Sequence, residues 1–216
     1  MATSGAEAMR RMLHSAVALA AVALLAAGIA IVAQIATRDR IAAGERATRT
    51  AQLDALLGDL RHDNDLLADA TYARDSDLLG TGSPVPVYRA RWHGSPVAIV
   101  MAPIAPDGYA GSIELLVAVR ADGRVLGVRA IRHHETPDLG DAIDERRSDW
   151  IRRFAGRALG DPPLDRWKVR KDGGDFDQFT GATVTPRAVV RAVSGSLVYF
   201  AQHRDELFTA PATMPP

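Results

Sequence analysis

The stretch with the most chemical content is Asp177-Gln178-Phe179-Thr180-Gly181-Ala182-Thr183-Val184-Thr185-Pro186. Thr185-Pro186 reads as a helix N-cap followed by proline at the first helical position. Val189, Val193, Leu197 and Phe200 continue one apolar helix face behind it. Thr183 then lies two residues before a helix mouth, where unpaired N–H groups and the positive end of the helix dipole favour phosphate. Gly181 and Ala182 are small enough for a bulky ligand to lie against the backbone. A hydroxyl at such a place can be phosphorylated or esterified. The same residues also suit plain capping, which is what Ser and Thr at helix starts commonly do. Spacing alone leaves both readings open.

A second cluster, His133-His134-Glu135, carries the residue types of a metal site or an acid–base group. Adjacent residues on a strand point to opposite faces, which disfavours a shared metal; no metal is expected. The chain has no cysteine, so thiolate metal sites, iron–sulfur ligation, a cysteine nucleophile and disulfides are all excluded. An electron carrier of this composition needs an organic cofactor or a non-thiolate metal. Lys and Arg total 26 against 26 Asp and Glu, and no basic stripe is interleaved with aromatics, so nucleic acid is not an expected partner. No Gly-x-Gly-x-x-Gly fingerprint is present, so hydride chemistry on a dinucleotide is not expected of this chain itself.

The elements that must position these residues follow from the hydropathy pattern. Residues 1–14 form a short N-terminus holding Arg10 and Arg11, and residues 15–37 carry no charge. That run exceeds the apolar region of a signal peptide and suits a transmembrane helix. The flanking arginines (Arg38, Arg40, Arg46 and Arg49 follow the span) leave its orientation undecided. Residues 38–84 read as a helical linker region, with Leu53, Leu56, Leu57 and Leu60 on one face and chain breakers from Gly80 to Pro86. Residues 85–209 read as the main domain. Four antiparallel strands are predicted, at Val85–Trp92, Val97–Ile104, Ile113–Arg120 and Val125–His133, the last two joined at Asp122-Gly123. A helix is predicted from Asp141 through Trp150 to Phe154, with Trp150 and Tyr109 as packing residues. The last helix follows Thr185, and residues 210–216 read as a disordered tail. The class is α+β, an antiparallel sheet flanked by helices after an N-terminal span.

Asp177-x-x-Thr180-Gly181-Ala182-Thr183 resembles the flavinylation motif of FMN-binding domains in the Rnf, Rsx and Nqr respiratory complexes. The stretch from Lys168 to Val190 is similar to the G subunits of Rnf/Rsx complexes, and less similar to the C subunit of the sodium-pumping quinone reductase. His133-His134-Glu135-Thr136-Pro137-Asp138-Leu139-Gly140 resembles a second family loop that lies near the flavin, except that Asp138 stands where the pattern has glycine. The resemblance implies an FMN-binding domain with one FMN per chain, joined covalently as a phosphoester to Thr183 by a flavin transferase that uses FAD. It further implies flavin-binding roles for Asp177, Thr180, Gly181, Ala182, Glu135, Thr136, Leu139 and Gly140. It also implies partners in a bacterial inner-membrane complex that relays electrons between ferredoxin and NAD and moves ions. The flavin domain would be on the periplasmic side of the lipid bilayer, and the chain itself would be non-catalytic.

Overall fold

The computed structural model describes residues 3–213. The chain divides into two compact units, Met1–Arg49 and Thr50–Pro216. In the first, helix α1 (Thr3–Leu57) exposes the side chains of Val17, Leu19, Val22, Leu24, Leu25 and Ile29. It is long and apolar enough to cross a membrane, for which about 20 apolar residues suffice.

The second unit begins with the last turns of α1. Six strands follow: β1 (Ala70–Asp75), β2 (Thr81–Trp92), β3 (Ser95–Met101), β4 (Ile104–Ala105), β5 (Ile113–Arg120) and β6 (Val125–Arg132). A one-turn helix, α2 (Ser76–Leu79), lies between β1 and β2, and a long helix, α3 (Val184–Thr209), ends the domain. Every strand pairing is antiparallel. β3 and β4 pair with the same edge of β5, and β6 takes its other edge. The α+β architecture expected from sequence is the one observed.

Period-two alternation sorts the sheet residues into two cores. Val85, Val87, Ile99, Met101, Leu115, Val117 and Val119 face α3, meeting Val189, Val193, Leu197 and Phe200. Their neighbours Tyr88, Ala90, Ala98, Val100, Leu116 and Ala118 face the other way, onto Leu53, Leu56 and Leu57 of α1 and onto Leu66 and Leu67. The leucine stripe read from sequence therefore covers one face of the sheet, and α3 covers the other.

Three differences from the sequence reading have local causes. The pattern predicts four strands, but the sheet starts at Ala70, within the expected 38–84 linker region, and β2 runs through the segment read as a break. Pro86 sits inside β2 opposite Tyr72, in a stretch where pairing with both neighbours outweighs its missing N–H. The predicted 141–154 helix is two 3₁₀ turns, Gly140–Ile143 and Trp150–Phe154. Side chains there compete with helical bonding: Ser148 Oγ donates to Ala142 O at 2.6 Å, Trp150 N donates to Ser148 Oγ, and Arg146 N donates to Asp144. Of the expected tail, Ala210 O accepts from Arg89 at 2.5 Å and Thr213 N donates to Ala70 O at 2.7 Å. Residues 214–216 lie outside the described residues.

The C-terminus of α3 is held by the sheet. A helix leaves its last carbonyls without partners. Arg89, 2% exposed, donates to the carbonyls of Leu207 and Ala210, and Arg91 donates to Phe208 O at 2.7 Å. Asp69 holds both guanidinium groups, at 2.5 and 2.6 Å.

Candidate functional site

α3 starts two residues earlier than the sequence suggests. Its N-cap is Thr183, so Thr185 lies inside the first turn and Pro186 one residue further in. The reason is a buried carboxylate. Thr185, fully buried, donates its hydroxyl to Glu135 Oε2 at 2.5 Å instead of capping the helix. Thr183 makes no capping bond, and its half-buried hydroxyl has no hydrogen-bond partner among the described residues. Val184 beside it is 41% exposed. The Val184 and Thr185 amides are of the kind that a helix start leaves without intrahelical acceptors.

Glu135 faces inward. It is 5% exposed, and its second oxygen accepts from Ala110 N at 3.1 Å. Glycines make the room: a Cβ on Gly108 would come within 2.8 Å of Oε1, and one on Gly140 within 2.8 Å of Oε2. One carboxylate thus joins the 108–111 loop, the 135–140 loop and the start of α3. Thr136 closes its own loop, its carbonyl receiving the amides of Leu139, Gly140 and Asp141. The Thr136 side chain is exposed.

Asp138 has φ +58°, the left-handed backbone that suits glycine best. Its carboxylate points outward, 3.9 Å from Arg147, which also pairs with Asp141 at 3.2 Å. Leu139, 37% exposed, meets the threonine loop: Gly181 has φ +83°, and a Cβ there would stand 3.3 Å from Leu139 Cδ1. The turn itself closes through Ala182 N donating to Phe179 O at 3.2 Å, with Thr180 and Gly181 exposed at its tip.

Asp177 anchors the upstream side. Its carbonyl accepts from Trp150 Nε1 at 2.7 Å, and its carboxylate binds Arg153 and Arg170. Trp150 is buried and packs edge-on against Phe179 at 5.1 Å. Arg153 and Arg170 escape a sequence reading because they lie outside the motif and contact it only through the fold. The Gly108 and Gly111 pair is the available signal for the close approach at Ala110. Tyr109, read as a packing residue, is 71% exposed. β6 ends at Arg132, one residue short of the predicted strand, so both histidines lie beyond it, His133 half-buried and His134 exposed; the His133 Nδ1 atom is buried with no partner among the described residues. Nearby, Arg146 holds the Asp144 carboxyl down at about 2, chiefly by its hydrogen bonds.

The sequence singles out nine residues, and the structure brings them into one region through two contacts, Glu135–Thr185 and Leu139–Gly181. A profile of the FMN-binding domain matches residues 108–198, which spans both loops and the first half of α3. Over its length the chain is 46% identical to the G subunit of the ion-translocating oxidoreductase complex of Shewanella baltica, across 93% of this chain and 94% of that protein. The corresponding protein of Pseudomonas aeruginosa is 48% identical, across 92% of each chain. That of Vibrio atlanticus is 46% identical, across 89% and 92%. The chain belongs to this family of G subunits. Within the family's FMN-binding domain, the features that suit a flavin phosphate are an unengaged hydroxyl at a helix mouth and a glycine turn open to solvent beside it. Each Glu135 oxygen accepts one hydrogen bond from within the domain, from Ala110 N and from the Thr185 hydroxyl.

Proposed function

We propose that this chain is a membrane-anchored electron-relay subunit that carries one FMN, joined through its phosphate to Thr183. The observation that carries the reading is the Thr183 hydroxyl, without a partner at the start of α3 inside a matched FMN-binding domain. When bound, FMN supplies the one- and two-electron chemistry that a chain without cysteine lacks. Thr183 Oγ forms a bond to the flavin-side phosphorus of FAD while the pyrophosphate P–O bond breaks. AMP leaves with the electron pair, and the hydroxyl proton passes to a base on the flavin transferase. The first-turn amides and the positive helix end then stabilise the phosphodiester.

The remaining residues divide by where they face. Thr180, Gly181, Ala182, Thr136 and Leu139 form the rim against which the flavin lies. Glu135, Gly140 and Asp177 act from behind, fixing the two loops. The relatives from Shewanella and Pseudomonas support assembly with other subunits of an ion-translocating oxidoreductase complex. The resemblance noted from sequence extends this to electron exchange between ferredoxin and NAD. The apolar part of α1 anchors the domain in the lipid bilayer, with the flavin on the periplasmic face.

The test is direct. The full chain, made in a host with a flavin transferase, is expected to give a fluorescent band that survives SDS, and a mass increment of one FMN on the peptide holding Thr183. Both disappear in Thr183→Ala. A wild-type chain of unmodified mass overturns the proposal and leaves an anchored structural subunit.

A further inference from the structure

Four cations cluster beside the helix that starts at Thr183. Arg187 and Arg191 follow Thr183 at i+4 and i+8, and so lie on its face of α3. Lys168 and Lys171 come from the preceding segment. Two carboxylates oppose them: Asp172 pairs with Arg187 at 2.6 Å and Asp107 pairs with Arg191 at 2.5 Å. Lys168 and Lys171 are exposed and form no ion pair among the described residues. The Asp172 carboxyl is held below its ordinary value, first by its hydrogen bonds from Arg187 and then by the charges of Lys171 and Lys168. Lys168, Arg187 and Arg191 line a cleft of about 400 Å³ floored by buried Trp167.

The position of this patch limits what can cover it. Helical rise puts Arg191 about 12 Å along the axis from Thr183. A protein interface of ordinary size covers about 800 Å² per partner, a disc of about 16 Å radius. A protein footprint centred on Thr183 reaches Arg187 and Arg191 on the same helix face, with Lys168 beside them in one cleft. Covering unpaired lysines with a neutral or basic surface would cost their hydration without compensation.

We infer that the flavin transferase docks on this cationic face through an acidic surface, with Lys168 and Lys171 steering the encounter. This rests on the reading of Thr183 as flavin acceptor. Lys171 meets the loop through its backbone alone, its N–H donating to Gln178 Oε1 at 3.3 Å, and neither lysine side chain bonds the Thr183 hydroxyl, so their charges contribute to association and not to the chemical step.

The experiment measures flavinylation of the full chain in detergent micelles by purified transferase and FAD, read as in-gel fluorescence against time. It compares wild type, Lys168→Gln/Lys171→Gln and Lys168→Glu/Lys171→Glu. At low ionic strength kcat/KM for the chain is expected to fall several-fold in the glutamine pair and on the order of tenfold in the glutamate pair, with kcat unchanged. Added salt should bring wild type down toward the variants and leave the glutamate pair flat or rising. Equal kcat/KM and equal salt slopes in all three chains overturn the docking site while leaving Thr183 modified. A fall in kcat at unchanged KM overturns it as well, by moving the effect to the chemistry. An unmodified wild type sinks the acceptor reading first, and is distinguished by that.

Discussion

At the scale of single residues, the site depends on side chains that face away from it. The family resemblance gives Glu135 a flavin-binding role, and each of its oxygens accepts a hydrogen bond within the domain. Glu135→Gln keeps the shape but sets an amide N–H₂ against a donor. The expected cost is about 1–3 kcal/mol, measured by urea unfolding of the chain in detergent. Thr185→Val leaves a buried carboxylate oxygen unpaired, and its cost should fall in the same range; an unchanged midpoint in both would show that the clamp carries no stability. Sequence cannot separate these roles, since a motif names residues without saying which way they point. It does mark Asp138 as a residue in glycine's place, and the positive φ follows. Asp138→Gly should relieve backbone strain and stabilise the fold by about 0.5–1 kcal/mol. It should also raise the flavin potential modestly, because the carboxylate is exposed and Arg147 stands near it. Redox titration showing a lower potential in the glycine variant would refute the electrostatic argument.

Acid behaviour also belongs to individual residues. Arg120 holds the Asp122 carboxyl at about 2, and Arg146 does the same for Asp144. Both titrate lower in the folded chain than in the unfolded one. Their contribution is therefore present above about pH 4, the ordinary carboxylate value, and is lost as pH falls through about 2. The guanidinium groups are largely open to solvent, so the effect on stability is small. Carboxyl NMR titration should show Asp144 moving up toward its ordinary value in Arg146→Ala.

At the scale of elements, periodicity serves well where local pattern and packing agree. The leucine stripe, the Asp122-Gly123 hairpin and the apolar face of α3 are all legible. The 141–154 segment is not, because its spacing is helical while Ser148 and Asp144 bond the backbone in another way. The start of α3 is displaced by two residues because the partner of Thr185 lies 50 residues away. Helix propensity can mislead in the same manner. Gly195 lies within α3, and a Cβ there would stand 2.3 Å from the Leu78 carbonyl of α2. Gly195→Ala should destabilise by about 1–3 kcal/mol although alanine favours helices. A thermal midpoint equal to wild type would contradict the close packing of α2 on α3. The other end of the helix is more sensitive still. Asp69→Ala strips the partner from buried Arg89 and is expected to cost about 3–5 kcal/mol.

At the scale of the whole molecule, composition narrows the chemistry more than the fold. The absence of cysteine leaves an organic cofactor as the simplest electron carrier, and the apolar N-terminal run points to a membrane. Alkaline carbonate extraction should leave the full chain in the membrane pellet; release into the supernatant would remove the anchor from the proposal. What sequence could not supply is the pairing of distant segments, including the strand at Ala70 and the arginines that meet Leu207–Ala210.

That last contact bears on the order in which the domain is made. One face of the sheet can be covered early, because the leucines of α1 precede it on the ribosome. The other face waits for α3, which follows all six strands in the chain, and Arg89 and Arg91 wait for the carbonyls of Leu207, Phe208 and Ala210 at its end. A nascent chain stalled before residue 184 should thus be readily cleaved by protease, while one released in full should resist it. Completion of the core and burial of the Thr185 hydroxyl against Glu135 are then a single late event, since both require α3.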